Sequence, residues 1–375
     1  MPAYITSIGT AVPENCIEQS SIADFMIRAS QLDPTEARKL RVLYRSTKIQ
    51  KRYSVLTDYG KTDDFEFYPN TFDLEPFPTV SQRMLAYRKY ALPLALKAVA
   101  SALKNKDVLS TISPQHSAIP RFTHLITVSC TGLYAPGLDI ELVEALGLSR
   151  QVHRTSINFM GCYGAFNGLK AANSIVQADP HAKVLLVCIE LCTLHFQKKV
   201  DENYLLSNAL FADGAAAVII ESQPNTHTQG LSLAMQSFYC DLLFEGRNDM
   251  AWHVGDFGFE MVLSSYIPRL VKGGLGELMT QLRQTASLPV FDFYAIHPGG
   301  RAILEAAESQ LGLTPEDNRY AYEVLQEYGN MSSCTVLFVL QKLLQERTQE
   351  DIGKHIFSCA FGPGLTLETG IFKIV

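Results

Sequence analysis

Three apolar, β-rich runs constrain the fold of this chain more than any other feature of its sequence. They extend from Thr123 to Ser129, from Val184 to Ile189 and from Ala215 to Ile220. Their apolar residues follow one another without strict alternation, which is typical of strands buried on both faces of a sheet. Stretches with a helical period separate them along the chain. This succession of strands and helices predicts an α/β fold with mostly buried sheets.

The chain divides into two halves that repeat the same succession of elements. Its 375 residues are long for a single hydrophobic core, so two domains or two fused halves are expected. The polar segment from Gln223 to Gly230 is the best internal boundary. It predicts an N-terminal half over residues 1–225 and a C-terminal half over residues 226–375. Each half places reactive side chains at strand or helix ends, where α/β folds hold their ligands.

Composition and charge exclude several classes of protein. The chain is 47% hydrophobic and 19% charged, which is ordinary for a folded globular protein. Its formal net charge of −6 gives no support to nucleic-acid binding. No apolar run reaches membrane-spanning length and no signal peptide is evident, so a cytoplasmic protein without membrane association is expected. The eight cysteines lack metal-ligand spacing, which predicts reduced thiols and no metal site.

Cys162 is the candidate nucleophile of this chain. It lies in the segment from Phe159 to Gly164, directly before an apolar stretch from Ala165 to Val176 that predicts a buried helix. A thiol at a helix N-terminus faces unpaired N–H groups and the positive end of the helix dipole, and both favour the thiolate. A buried structural cysteine is the plainer interpretation of such a residue on its own.

Two further residues indicate that Cys162 is more than a structural thiol. His297 follows a predicted strand from Phe291 to Ile296, and Asn330 precedes a predicted helix from Met331 to Leu344. Each has an ordinary explanation by itself, as a core histidine and as a helix N-cap. Together, Cys, His and Asn can form a nucleophilic acyl-transfer site. His297 would form an ion pair with the Cys162 thiolate. The side chains of His297 and Asn330 would both donate hydrogen bonds to a thioester carbonyl oxygen.

Six separated motifs occur in one order along the chain. Each is weak alone, and the whole set is specific. They are Ile8–Pro13 with Glu18–Gln19, Gly161–Cys162, Ala209–Ala216, His297–Gly300, Tyr328–Ser333 and Phe361–Thr369. In these motifs the chain resembles the type III polyketide synthases, the chalcone synthase-like branch of the thiolase superfamily, over nearly its full length.

The resemblance implies a five-layered αβαβα thiolase fold made of two similar halves, a homodimer, and a Cys–His–Asn site at the end of a coenzyme A tunnel. Cys162 would accept the starter acyl group from its CoA thioester. His297 and Asn330 would hold the thioester carbonyl of malonyl-CoA during decarboxylation, and the enolate would attack the acyl-Cys162 thioester. The implied function is iterative condensation, with acyl-CoA and malonyl-CoA as substrates and no permanently bound cofactor.

The resemblance also implies which residues line the substrate cavity. Phe211 matches the family's aromatic residue between the CoA tunnel and the cavity, although core packing is its plainer role. Met261 replaces a second gatekeeper phenylalanine, and Trp252 falls near a glycine of chalcone synthase, which predicts a small or differently shaped cavity. Ala135 matches a residue that reaches into the partner subunit's cavity. The other implied cavity residues are Cys130, Thr131, Cys192, His195 and Ser332.

A basic helix face predicts a site for the phosphates of CoA. Arg38, Arg41 and Arg45 are spaced i, i+3, i+7 and share one face of a helix. Such a face is usually only solvated, but cationic residues of this region bind CoA in the family. The alignment needs a one-residue gap here, so Lys39 or Lys48 are alternatives.

Other functions stay open from the sequence. A ketoacyl synthase that condenses once and a catalytically silent acyl-CoA-binding relative share the fold. A papain-like hydrolase shares the order Cys, His, Asn but not the sequence around Cys162. Delivery of acyl groups by a carrier protein rather than by CoA is also open.

Overall fold

The computed structural model of this chain describes residues 2–104, 120–224, 230–285 and 290–375. The predicted boundary between residues 225 and 226 lies outside the described residues. The described strands are β1 (Ala3–Ala11), β2 (Asn15–Glu18), β3 (Lys51–Ser54), β4 (His124–Ser129), β5 (His153–Asn158), β6 (Val184–Leu191), β7 (Asp213–Glu221), β8 (Leu233–Leu242), β9 (Met250–Gly255), β10 (Gly258–Leu263), β11 (Phe293–Ile296), β12 (His355–Gly362) and β13 (Thr366–Ile374).

Helices separate most of these strands along the chain. The described α-helices are α1 (Gln19–Ala29), α2 (Pro34–Ser46), α3 (Val80–Leu103), α4 (Leu138–Ala145), α5 (Gly164–Ala178), α6 (Glu202–Leu210), α7 (Ile267–Thr285), α8 (Arg301–Leu311), α9 (Arg319–Tyr328) and α10 (Thr335–Gln345). None of the helices in the described ranges is both long and apolar enough to cross a membrane.

Nine of the described strands form one mixed sheet, in the order β11-β12-β13-β8-β1-β7-β6-β4-β5. Strands of the N-terminal half and strands of the C-terminal half form two contiguous blocks, which meet where β1 pairs antiparallel with β8. The three apolar runs of the sequence become β4, β6 and β7, and every residue of β6 is buried. The prediction of an α/β fold with buried central strands is therefore confirmed.

The helices form layers on both sides of these strands. Helix α5 contacts β4, β6 and β13, while α10 contacts β1, β7, β11 and β12, so both lie between strands of the two halves. On the outer side of the N-terminal strands, α3 packs on β1, β6 and β7. On the C-terminal strands, α7 contacts β13 and α9 contacts β11. This arrangement agrees with the five-layered αβαβα fold that the resemblance implied.

Each half introduces its central helix through a 3₁₀ turn. Gly161–Tyr163 precedes α5, and Ser332–Cys334 precedes α10. The helix predicted from Met331 to Leu344 therefore becomes α-helical only at Thr335. The reason is the φ of +49° at Ser332, which lies outside the right-handed helical region. Equivalent turns before α5 and α10 place the candidate residues of the two halves close together.

Candidate active site

Cys162 lies in the 3₁₀ turn between β5 and α5, and its side chain is buried. The turn depends on Gly161, whose φ is +78° and whose surroundings leave no room for a side chain: a Cβ there would lie 2.3 Å from Cδ of Pro363. The sulfur of Cys130 accepts a hydrogen bond of 2.9 Å from the backbone N–H of Gly161. Cys162 therefore lies at the start of a helix, as the sequence predicted, and the preceding position of the turn fits only glycine.

His297 directly follows β11, and its side chain is completely buried. Its backbone N–H donates to the carbonyl of Cys359 on β12 at 2.8 Å, which fixes the residue at the carboxyl end of the strand. Among the described residues, neither ring nitrogen has a hydrogen-bond partner. A buried imidazole without a partner is unusual for a core histidine, since buried polar groups are normally satisfied.

Asn330 is held against Phe211 by its backbone. The N–H of Asn330 donates to Leu210 O, and the N–H of Ala212 donates to Asn330 O, both at 2.9 Å. The side-chain Oδ1 accepts from Ser332 N at 2.8 Å. The N-cap of the following 3₁₀ turn is Met331 and that of α10 is Cys334, so Asn330 is not a helix N-cap in this structure.

The amide nitrogen of Asn330 donates to the carbonyl oxygen of Gly299 at 3.2 Å. An amide NH₂ group has two hydrogens, and the Asn330 side chain also hydrogen-bonds the Cys162 thiol. Gly299 belongs to the segment after His297, so the hydrogen bond to its carbonyl oxygen connects the Asn330 side chain to the segment that carries His297.

Cys162, His297 and Asn330 line one cavity of about 540 Å³, here named the catalytic cavity. Phe211 and Met261 lie in its wall, as the sequence placed them. The structure therefore brings together three residues, two of which are more than a hundred positions from Cys162 in the chain. Such a cavity, mostly apolar with few polar groups, is the usual form of a small-molecule site.

Burial dominates the protonation of both reactive groups. It raises the pKa of the Cys162 thiol to about 12, against the opposing effect of hydrogen bonds from Ser332 and Asn330. It lowers the pKa of His297 to about 3. Both shifts favour the neutral forms, because a low-dielectric site disfavours charge. The ion pair between the Cys162 thiolate and His297 stays a prediction.

A second, small cavity of about 40 Å³ lies on the other side of Phe211 and Met261. Cys192, His195 and Trp252 are in its wall. A volume of that size holds about one water molecule.

Hydrogen bonds fix the side chains in the wall of the small cavity. Nδ1 of His195 accepts from Phe259 N at 2.9 Å, so its Nε2 donates to the carbonyl of Thr131 at 2.8 Å. The His195 ring stacks on Phe259 with 4.2 Å between ring centroids. Nε1 of Trp252 donates to the carbonyl of Cys130 at 2.7 Å. Burial lowers the pKa of His195 to about 3, which keeps this ring neutral.

Cys130 and Thr131 line neither of these two cavities. They bind Glu190, a completely buried carboxyl on β6: Cys130 N and Thr131 Oγ1 each donate to its Oε2 at 2.9 Å. Ser333 donates to its Oε1 at 2.5 Å. The structure thus gives Thr131 and Cys130 a supporting position under the Cys162 turn, and Ser333, which the sequence did not single out, is the serine that binds Glu190.

Glu190→Gln is expected to change how stability depends on pH. Burial raises the pKa of Glu190 from 4.5 to about 7, so the folded state holds a proton that the unfolded state releases. The resulting stabilisation is complete below pH 4.5 and is lost as the pH rises through 7. The free energy of unfolding of the native protein, minus that of the variant, should fall across this window by up to about 1.4 kcal/mol per pH unit. Urea unfolding at pH 4.5 to 8 measures it, and parallel curves would refute the assignment.

Ala135 lies away from the three central residues of its own chain. It is exposed and lines a separate surface cleft with Tyr87 and Tyr134. An exposed position suits a residue that contacts a partner subunit, and that role stays a prediction.

The three arginines of α2 line neither the catalytic cavity nor the cleft outside it. Arg41 forms an ion pair with Asp24 at 2.9 Å, and Arg45 Nε donates to Arg41 O at 3.2 Å. At 100° per residue, the cavity-lining positions of α2 lie on the side opposite to Arg38, Arg41 and Arg45. The shared arginine face exists, but it points away from the site.

A different cation of α2 faces the site. Lys39 lines a cleft of about 500 Å³, here named the outer cleft, which shares Leu206, Leu263 and Ser265 with the catalytic cavity. Ser46, at the end of the same helix, lines the catalytic cavity. Lys39 was one of the two alternatives that the sequence left open.

Sequence reasoning did not single out Arg52, which is buried on β3 and donates to the carbonyl of Phe211 at 2.6 Å. The alternation in β3 could have indicated Arg52. Arg52 and Ser54 are the buried, inward residues of this strand, and they alternate with the partly exposed Lys51 and Tyr53. A charged residue on the inward side of a strand indicates a specific partner.

Family comparisons cover nearly the whole chain. The family described as chalcone and stilbene synthases, N-terminal domain, matches residues 1–224, and the corresponding C-terminal domain matches residues 231–375. The alpha-pyrone synthesis polyketide synthase-like Pks18 of Mycobacterium tuberculosis is 31% identical over 100% of this chain and 91% of its own. Type III polyketide synthase C of Arabidopsis thaliana is 30% identical over 98% of this chain and 94% of its own.

Solved structures show the same architecture. The C-terminal type III polyketide synthase domain of Steely1 from Dictyostelium superposes with a TM-score of 0.87 at 27% identity, covering 100% of this chain and 99% of that domain. PKS-I from the brown alga Ectocarpus siliculosus superposes with a TM-score of 0.88 at 28% identity, covering 100% of this chain and 98% of the PKS-I chain.

Two joined α/β halves around a buried cavity, in this architecture, define a thiolase-like condensing enzyme. Enzymes of this class are acyltransferases, and they act on thioesters. The chain belongs to the chalcone and stilbene synthase family, and it is a type III polyketide synthase. The family uses CoA thioesters as substrates.

Proposed function

We propose that this enzyme loads a starter acyl group on Cys162 and extends it with malonyl-CoA in repeated decarboxylative condensations. One observation carries the proposal: Cys162, His297 and Asn330 line the same buried cavity, with Phe211 in its wall. A nucleophile and two hydrogen-bond donors around one apolar space are what acyl transfer through a thioester requires.

Three bond exchanges make up each cycle. In loading, a bond forms between the sulfur of Cys162 and the acyl carbon, the bond to CoA sulfur breaks, and the thiol proton passes to the CoA thiolate. In decarboxylation, the bond from the malonyl carboxylate to its α-carbon breaks, carbon dioxide leaves, and the electron pair forms a thioester enolate. In condensation, the enolate carbon bonds to the acyl carbon, the sulfur of Cys162 leaves with its electron pair, and this thiolate takes up one proton from solvent to restore the thiol for the next loading.

His297 and Asn330 are proposed to stabilise the enolate. Neutral imidazole has one N–H donor, and the second hydrogen of Asn330 Nδ2 is the other. Both donors are buried and fixed before the substrate arrives, which lowers the barrier where charge develops, by roughly 3 kcal/mol per donor. Phe211 is proposed to exclude water, which favours neutral carbon dioxide over the carboxylate.

The outer cleft is proposed as the route for CoA. It adjoins the catalytic cavity, and Lys39 supplies positive charge for the phosphates. We also propose a cytoplasmic homodimer. The support for the dimer is β5, the edge strand of the sheet, where five of six residues are exposed, since unpaired strand edges favour pairing with a second chain.

Mass spectrometry after incubation with malonyl-CoA and a panel of acyl-CoA starters tests the proposal. We expect polyketide products and an acyl adduct on Cys162, both absent from Cys162→Ala. The products are also searched for α-pyrones, because the relative Pks18 is described as an alpha-pyrone synthesis polyketide synthase-like protein. A single-condensation product would identify a ketoacyl synthase, and unreacted CoA esters across the panel would point to a carrier-protein substrate or a binding role.

Lys39→Glu is expected to raise the KM for malonyl-CoA by about tenfold and to leave kcat within about twofold, because it acts on a part of the substrate that does not react. Arg41→Glu is the matched control, with the same charge change on the opposite side of α2. Steady-state kinetics of both variants decides between the two faces. A raised KM for Arg41→Glu alone would restore the arginine face as the phosphate site.

A further inference from the structure

The end of α6 is held by an unusual set of hydrogen bonds. The last carbonyl groups of a helix have no partner within it. Here four successive carbonyls, from the helix end through Phe211, each accept from a distant part of the chain. The pairs are Tyr44 Oη to Asn208 O at 3.1 Å, Gln19 Nε2 to Ala209 O at 2.8 Å, Asn330 N to Leu210 O at 2.9 Å, and Arg52 Nη1 to Phe211 O at 2.6 Å.

Arg52 is the one charged donor of this set. Its side chain is only 3% exposed, and its Nε donates to Gln19 Oε1 at 2.8 Å, so that Arg52 and Gln19 form one unit against the helix end. A cation at a helix C-terminus is favoured by the dipole. Asp213, two residues beyond Phe211, interacts electrostatically with the same guanidinium.

The helix end is also part of the active site. Phe211 and Asn330 form a β-bridge, with hydrogen bonds on both sides of it. Arg52 packs directly on the residue before Asn330, because a Cβ at Gly329 would lie 3.0 Å from Cγ and Cδ of Arg52. The Arg52 side chain therefore contacts both segments of the bridge, and neither contact involves a reacting atom.

We propose that Arg52 is a positioning residue that holds Phe211 and Asn330 in register, and that it thereby supports decarboxylation of malonyl-CoA. The inference rests on the proposed function, in which Asn330 binds the thioester carbonyl. Loss of the guanidinium leaves the Phe211 carbonyl unpaired and allows the bridge to shift. A shift of about 1 Å in a catalytic group costs up to about a hundredfold in rate.

The test measures acetyl-CoA release from malonyl-CoA by Arg52→Gln and Arg52→Lys. We expect Arg52→Gln to lower kcat by about tenfold or more with KM within about twofold, since the substrate contacts remain and their geometry changes. Arg52→Lys keeps the charge and one donor, and it should recover part of kcat. Arg83→Gln is the matched control, because Arg83 is equally buried and donates to backbone carbonyls of Pro78 and Leu194, outside the bridge.

A double-variant cycle separates positioning from general stability. In an Asn330→Ala background, Arg52→Gln should add less than about twofold to the loss, because residues that act through one another are not additive. Full additivity, an effect on KM alone, or an equal loss of kcat in Arg83→Gln would each overturn the inference. If Arg52→Gln does not fold, Gln19→Ala takes its place, since it removes the acceptor that orients the guanidinium, and the same criteria apply.

The activity of the native enzyme in this assay separates a failure of the proposed function from a failure of the positioning role of Arg52. A native protein that releases no acetyl-CoA from malonyl-CoA would refute the proposed function. A native protein that releases it, beside Arg52 variants that match Arg83→Gln, would refute only the positioning role.

Discussion

Cys162→Ala is expected to form no polyketide and to continue to convert malonyl-CoA to acetyl-CoA. Removal of the thiol eliminates the acyl-enzyme, so condensation should fall by at least about 10⁴-fold. Decarboxylation uses the carbonyl donors instead, and Asn330 Oδ1 and Nδ2 keep their contacts with Ser332 and Gly299 in this variant. Liquid chromatography of the CoA products over time measures both reactions in one sample.

The complementary variant is His297→Ala. It removes one of the two proposed donors and should lower decarboxylation by about 10²- to 10³-fold. Because condensation consumes the enolate that decarboxylation supplies, His297→Ala should lower acetyl-CoA and polyketide together, whereas Cys162→Ala should raise the ratio of acetyl-CoA to polyketide above the native ratio. Equal loss of both reactions in Cys162→Ala would contradict the separate roles and would indicate that the thiol also takes part in decarboxylation.

Gly161→Ala is expected to destabilise the protein strongly and to lower activity as well. The φ of +78° costs an L-residue about 1–2 kcal/mol. The new methyl group would also lie 2.3 Å from Cδ of Pro363, and a proline ring cannot rotate away. Overpacking of this kind adds about 1–3 kcal/mol. Since Cys162 is the next residue, movement of the turn displaces the nucleophile.

Gly312→Ala is the matched control for this prediction. Gly312 ends α8 with a φ of +71°, and a Cβ there would have nothing within 4 Å. The variant therefore has the backbone strain without the clash, and it should lose only about 1–2 kcal/mol. Urea unfolding and kcat of both variants are compared. Equal losses of stability, with full activity in Gly161→Ala, would show that the turn accommodates a side chain.

Local sequence patterns were enough to predict the fold class and to indicate the candidate site residues. The runs that became β4, β6 and β7 are recognisable because strands buried on both faces need consecutive apolar residues. Cys162, His297 and Asn330 stand in glycine-bearing motifs, and the tight turns around them constrain the residue types locally. The buried strands and the glycine-bearing turns depend on residues adjacent in the chain, so they can be predicted from the sequence.

Other features depended on how distant segments pack. The arginine spacing in α2 indicated a shared face, but only packing against the rest of the chain determined that Lys39 faces the outer cleft and Arg41 pairs with Asp24. The serine that binds Glu190 is Ser333, because the 3₁₀ turn before α10 directs it there.

The sequence by itself determined the α/β fold class and the family resemblance, and it indicated Cys162, His297 and Asn330 as candidate site residues, because each of these follows from residues adjacent in the chain. Tertiary structure alone decided the shape of the cavities, the burial of Cys162 and His297, and the contact between Arg52 and Phe211. The physical reason is that desolvation and hydrogen-bond geometry depend on all surrounding atoms. Most of those atoms belong to residues far away in the chain.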